Sequence, residues 1–221
     1  MENSQILAHV DHTLLTATAS RKEIFTLCRE AIEFRTATVC IPPSYTEEVH
    51  IEFGEKLKIC NVIGFPLGYN RTSAKVAEAK IAIEHGADEL DMVINLGDVK
   101  NGDFCAVTAE IAALKTVCGE KVLKVIVETC CLTEEEKIAL CGCVTEGNAD
   151  YIKTSTGFGT GGATMEDILL FKKHIGAGVK IKASGGVRTR EAMVAFLEAG
   201  CDRLGTSSAI KILAGETPAG Y

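Results

Sequence analysis

Tyr151-Ile152-Lys153-Thr154-Ser155-Thr156-Gly157-Phe158-Gly159-Thr160-Gly161-Gly162 is a short apolar run that ends on a lysine and passes into small residues and glycines. Read with Asp150, its first part is a buried strand ending at Lys153. Thr164 then opens a helix towards His174, with Glu166 and Asp167 in the first turn, where the helix dipole favours negative charge. The stretch is therefore one strand–loop–helix unit. A lysine is rarely buried without a partner, because removing an ammonium from water is expensive. Such a lysine either snorkels to solvent or is tuned for chemistry. On this stretch alone the solvent-facing reading comes first.

The same unit recurs in both directions. Upstream, apolar runs read as strands at Ala8–Leu14, Ala37–Ile41, Lys58–Gly64, Asp88–Ile94 and Lys121–Glu128; downstream, at Val179–Ala183 and Arg203–Gly205. Helical spacing follows each of them. Capping boxes are expected at Ser20/Glu23, Ser44/Glu47 and Thr133/Glu136, and Gly86 is placed to end a helix. Eight strands start at intervals of roughly 20 to 33 residues, as βα units require. The runs are short and rich in Val and Ile, which suits a parallel sheet buried on both faces. The choice lies between an open doubly wound sheet and a closed (β/α)8 barrel. An open sheet carries its glycine fingerprint after the first strand. Here that turn is His12-Thr-Leu-Leu-Thr-Ala, so the barrel is preferred. One domain over residues 1–221 is expected, with a short tail at about 215–221.

Composition narrows the function classes. The 221 residues are 47% hydrophobic and 24% charged, as in a water-soluble globular chain, and the net charge of −7 argues against general nucleic-acid binding. No run is long enough to span a membrane, and the polar opening residues do not resemble a secretory signal. The ten cysteines are therefore read as reduced thiols of a cytoplasmic protein. The close pairs Cys130-Cys131 and Cys141-x-Cys143 lack zinc-site spacing, so no metal is expected.

In a barrel, chemistry collects at the C-terminal ends of the strands. Asp11, Asp91, Lys124, Lys153 and Lys182 are charged residues within or ending apolar runs, and inward charges need partners. Lys153 and Lys182 hold matching places on neighbouring strands. Two ammonium groups side by side repel, so one is expected to titrate low and supply a Schiff-base nucleophile. Asp91 is placed to hold the remaining ammonium and relay protons. After the seventh and eighth strands come Ser184-Gly-Gly-Val-Arg188 and Gly205-Thr-Ser-Ser208. Barrels commonly bind phosphate at these two turns. Gly185, Gly186, Arg188, Gly205, Ser207 and Ser208 are the candidates, with Gly157 added from the loop after Lys153.

These pieces carry a resemblance. Asp11-His-Thr-Leu-Leu, Val39-Cys-Ile-Pro, Ile63-Gly-Phe-Pro-Leu-Gly, Glu89-Leu-Asp-Met-Val-Ile-Asn, Leu123-Lys-Val-Ile-Val-Glu-Thr, Lys153-Thr-Ser-Thr-Gly-Phe, Lys182-Ala-Ser-Gly-Gly-Val-Arg and Gly205-Thr-Ser-Ser follow in order over almost the whole chain. The chain resembles the deoxyribose-phosphate aldolases, class I aldolases of barrel fold. The resemblance implies that Lys153 forms the Schiff base and that Lys182 and Asp91 transfer protons. It gives Asp11, Lys124, Thr156 and a C-terminal Tyr221 supporting places. The implied substrate is 2-deoxy-D-ribose 5-phosphate, cleaved to D-glyceraldehyde 3-phosphate and acetaldehyde with no cofactor. A homodimer is a further expectation. Two alternatives stay open: another Schiff-base aldolase with a phosphorylated substrate, and a barrel that only binds a sugar phosphate.

Overall fold

In a computed structural model, which describes residues 1–216, the eight strands close into a barrel in sequence order, each parallel to its neighbours. The strands are β1 (Val10–Thr13), β2 (Thr38–Ile41), β3 (Ile59–Ile63), β4 (Glu89–Val93), β5 (Val122–Ile126), β6 (Tyr151–Lys153), β7 (Lys180–Ser184) and β8 (Arg203–Thr206). Ring closure comes from β1 pairing with β8, Asp11 opposite Gly205. The helices are α1 (Asn3–Leu7), α2 (Arg21–Phe34), α3 (Thr46–Phe53), α4 (Thr72–Glu84), α5 (Leu96–Lys100), α6 (Phe104–Cys118), α7 (Glu134–Glu146), α8 (Met165–His174), α9 (Arg190–Ala199) and α10 (Ala209–Leu213). The expected tail residues 217–221, Tyr221 among them, lie outside the described residues. Among those described, no helix is long and apolar enough to cross a membrane.

Alternation along each strand sorts the side chains. Leu90, Met92, Leu123, Val125, Ile152, Ile181 and Leu204 point away from the barrel axis and pack against Val107, Ile111, Leu140, Ile168, Phe171 and Met193 of the helices. A second layer joins Val39, Ile41 and Ile59 to Ile24, Leu27 and Val49. Burying each such aliphatic side chain contributes about 1.5–3 kcal/mol, so these two layers hold the barrel closed. The remaining strand positions point inward, and many of them are charged.

The helix starts follow the sequence in two of the three expected boxes. Ser20 and Glu23 cap α2 reciprocally, and Thr133 and Glu136 do the same for α7. The box at Ser44/Glu47 does not form. Pro43 presets a helical φ, so a 3₁₀ turn begins at Pro43 and places Ser44 inside it. The extended backbone an N-cap needs belongs to Pro42, and α3 starts later, at Thr46, with no side-chain cap. Thr46 spends its hydroxyl on Pro43 O, 2.9 Å, and on Asn61 Oδ1, 2.6 Å. Two short helices, α1 and α5, were not apparent from periodicity, because five residues hold too little pattern.

Candidate active site

The barrel axis holds a column of charge rather than the ring of charge at one rim that the strand patterns suggest. Lys153 alone ends its strand. Asp91, Lys124 and Lys182 occupy the middle of β4, β5 and β7, Asp11 is second in β1, and Glu89 and Arg203 begin β4 and β8. Register fixes the neighbours: Lys153 lies opposite Lys182, and Asp91 opposite Lys124.

Asp91 is the hub of this column. Its Oδ2 accepts hydrogen bonds from Lys153 Nζ at 2.7 Å and from Lys182 Nζ at 2.7 Å. Its Oδ1 accepts from Lys124 Nζ at 2.8 Å and from the Cys60 thiol at 3.1 Å. Lys182 also donates to Asp11 Oδ2, and Arg203 donates to Asp11 Oδ1 at 2.5 Å. Glu89 closes the lower end, 2.6 Å from Lys124 and 3.2 Å from Arg203. Lys182, Lys124, Asp11 and Asp91 have no exposed surface, while Lys153 retains 3%. Lys153 is thus the one amine of the column at the strand ends and open to the mouth.

Burial alone would drive each of these groups towards its neutral form. For Asp91, Lys124, Lys153 and Lys182 outweigh burial and hold the carboxyl well below the usual carboxylate range. Asp11 is held low in the same way, by Lys182, Lys124 and Arg203. Burial opposes the charge of Lys182, but Asp11 and Asp91 outweigh it and push its pKa up; Lys124 is likewise pushed well up, chiefly by Asp91. This corrects the argument from two repelling ammonium groups. That argument left out the carboxylates, and Asp91 lies between the two amines and touches both. Lys182 keeps its proton.

The charges can be counted. Among the described residues the column contains Lys124, Lys153, Lys182 and Arg203 against Asp11, Glu89 and Asp91. Four cations face three carboxylates.

The opposite wall is apolar: Cys40, Cys60 and Val62, with Leu15 and Phe65 packed on them. Asp11, Cys60 and Glu89, whose carboxylates pair with Lys182, Lys124 and Arg203, offer ligand atoms within 4.8 Å of one another, and so does the group of Cys40, Cys60 and Asp91. Its one carboxylate is already bonded to three lysines. The sequence pairs Cys130-Cys131 and Cys141/Cys143 do not form such a group among the described residues.

Above Lys153 the chain is stitched to β7. Thr154 Oγ1 donates to Ser184 O at 3.0 Å and accepts from Ser184 N, and Ser184 Oγ donates to Ser155 O at 2.5 Å. Ala163 N donates to both Ser184 O and Gly185 O. Here two glycines cross: a Cβ on Gly162 would strike the Gly185 carbonyl, and one on Gly185 would lie 3.0 Å from Gly162 Cα. Thr156 is buried and bonds Glu128.

The candidate phosphate residues divide. Gly186 and Arg188 are exposed and Gly185 half-buried in the turn after β7; Ser207 and Ser208 are half-buried after β8. Thr206 ties the two turns together, its hydroxyl donating to Val187 O at 3.2 Å. Gly157 is exposed in the loop after β6, with a positive φ of 85°. Gly205 lies within β8, not in a turn. A Cβ there would lie 3.2 Å from Lys182 Cε, so its bareness makes room for the lysine.

Arg203 and Glu89 went unmarked as column members in the sequence, because charges at strand starts are ordinarily solvated. Their signal was the same one that marked Lys182: a charge in register with an inward neighbour, Arg203 opposite Lys182.

A family model for DeoC/LacD family aldolases matches residues 5–209. The chain is 60% identical over its full length, and that of the relative, to a deoxyribose-phosphate aldolase of Clostridium botulinum. It is 55% identical to one from Clostridioides difficile, over 98% of this chain and 99% of that one. Among solved structures, the tetrameric deoxyribose phosphate aldolase of Aeropyrum pernix is similar with a TM-score of 0.87 and 31% identity, over 97% of this chain and 92% of that one.

Proposed function

The chain belongs to the DeoC/LacD family of aldolases and is a carbon–carbon lyase, and from that premise we propose that it cleaves 2-deoxy-D-ribose 5-phosphate reversibly through a Schiff base on Lys153. The observation that carries the residue assignment is the 2.7 Å contact between Lys153 Nζ and Asp91, at the C-terminal strand end of the column.

The neutral amine of Lys153 attacks C1 of the open-chain sugar. Loss of water from the carbinolamine gives an iminium ion. Positive charge then sits on the nitrogen 2.7 Å from Asp91, so the carboxylate meets it without rearrangement. This is preorganised electrostatic stabilisation by a carboxylate that is itself fully buried. The C3 hydroxyl loses its proton to a water held by Asp91 and Lys182, with the Asp91 carboxylate as the accepting group of the pair. The C2–C3 bond breaks, its electrons pass into the iminium, and D-glyceraldehyde 3-phosphate leaves. Protonation of the enamine at C2 and hydrolysis release acetaldehyde and restore Lys153. The iminium is the electron sink, so the scheme needs neither metal nor cofactor.

Lys182 and Lys124 keep Asp91 ionised, and Asp11 holds Lys182 in place through the hydrogen bond it accepts. Gly186, Arg188, Ser207 and Ser208 receive the phosphate at the joined turns, with Gly157 and Gly185 beside them, while Gly205 gives Lys182 the room it needs. Ten free thiols fit action in a reducing cytoplasm. A homodimer belongs to the same proposal, tested by solution mass.

A substrate panel tests the reaction. Incubation with 2-deoxyribose 5-phosphate is expected to release acetaldehyde and glyceraldehyde 3-phosphate in equal amounts. Cleavage of a ketose phosphate with no acetaldehyde would favour a different aldolase of the family. Binding without cleavage would reduce the protein to a sugar-phosphate binder.

A further inference from the structure

One buried carboxylate beside the site belongs to no part of the column. Glu128 follows β5 with a left-handed backbone, φ +56°, a conformation a side-chain-bearing residue adopts at some cost. Its side chain is buried, and its bonded partners are neutral. Thr156 N lies 3.3 Å from each carboxylate oxygen, and Thr156 Oγ1 donates to Oε2. The same Thr156 hydroxyl accepts from Phe158 N at 3.0 Å. Gly159 lies against the carboxylate, where a Cβ would come within 3.2 Å of Glu128 Cδ. Thr156 and Gly159 thus lie against one acid, and Phe158 is joined to it through the Thr156 hydroxyl.

The end of this chain of contacts is aromatic. Phe158 is 55% exposed, yet its ring meets Phe65 edge to face, centroids 5.2 Å apart. Phe65 follows β3 and Phe158 follows β6, so the contact reaches three strand positions round the ring and crosses part of its mouth. Phe65 rests on the apolar wall of Cys40, Cys60 and Val62. The loop leaving Lys153 is therefore fixed at one end by Ser184 and at the other by Glu128, with Phe158 laid against Phe65.

We infer that Glu128 is a positioning residue for the aldolase reaction, holding residues 154–159 so that Phe158 bridges to Phe65 beside the Lys153 amine. This rests on the assignment of Lys153. Without the clamp, substrate must order the loop as it binds, and that ordering weakens apparent affinity. The loss therefore falls mainly on KM, while the amine itself is untouched.

Glu128→Gly tests this without threatening the fold, since glycine is at ease with a positive φ. The expected result is an unchanged or higher Tm, a KM raised about tenfold with a smaller change in kcat, and faster hydrogen exchange at the Thr156 and Phe158 amides. Glu128→Gln keeps an acceptor for the Thr156 hydroxyl and is expected to recover most of the loss. Thr156→Val and Phe158→Ala, which break the later contacts, are expected to move KM the same way. Faster exchange with wild-type KM and kcat would overturn the inference, as would unchanged exchange in Glu128→Gly. Borohydride trapping in the wild type is run alongside: an adduct away from Lys153 would strike the Schiff-base assignment, whatever Glu128 does.

Discussion

At the level of single residues, the proposed chemistry turns on one carboxylate shared by three lysines. Lys153, Lys182 and Asp91 were legible in the sequence because each is a charge at the end of, or inside, an apolar run. Their mutual electrostatics was not legible. Two lysines on adjacent strands imply repulsion only until Asp91 and Asp11 are placed between them. Removing Lys182 leaves both carboxylates buried with one cation fewer. Lys182→Met is therefore expected to lose most activity and to lower stability by about 3–5 kcal/mol, as broken buried pairs do; denaturant unfolding and kcat/KM check it. Asp91→Asn keeps the shape and removes the charge proposed to face the iminium. It is expected to lower kcat at least 100-fold, the scale of losing one preorganised electrostatic group, with borohydride trapping at Lys153 slowed in parallel.

Among the elements, the strands and most helices were readable because each βα unit repeats the same signals: an apolar run, a cap, helical spacing, a glycine. What escaped was set by local competition or by contact at a distance. Pro43 displaced the cap expected at Ser44, and the crossing of Gly162 over Gly185 joins loops that the sequence keeps apart. Gly205 belongs here too. In the sequence it looks like part of a phosphate turn, whereas in β8 it faces Lys182. Gly205→Ala would put a methyl 2.9 Å from Ser184 Cβ and 3.2 Å from Lys182 Cε. The lysine tip is the softer neighbour and gives way, moving its ammonium relative to Asp11 and Asp91. The expected outcome is a fall in kcat of about tenfold or more with only about 1–3 kcal/mol of destabilisation, the usual range for overpacking. A stable variant with wild-type kcat would show that Lys182 does not need that space.

For the whole molecule, the barrel is a closed apolar double layer around a charged axis, and its pH response follows from that. Asp11 and Asp91 bind protons less readily folded than unfolded, so the stability they contribute is full above about pH 4 and is lost as pH falls below it. Lys182 and Lys124 work in the other sense, contributing below about pH 10.4 and less above it. His12 responds first on acidification. Burial lowers its pKa despite Glu30, 2.9 Å from Nε2, and its Nδ1 has no partner among the described residues. The folded chain therefore prefers it neutral, and stability declines as pH drops through about 6.5. Thermal melts are expected to show this early decline in the wild type and to lose it in His12→Gln; a decline of equal size in both would exclude His12 as its source. The central claim is that Lys153 alone forms the covalent bond. Borohydride added with 2-deoxyribose 5-phosphate, followed by peptide mass mapping, tests it most directly. The account predicts one reduced adduct per chain, on Lys153, and none in a folded, inactive Lys153→Ala. An adduct on Lys182 or Lys124, or a normal rate in Lys153→Ala, would contradict it.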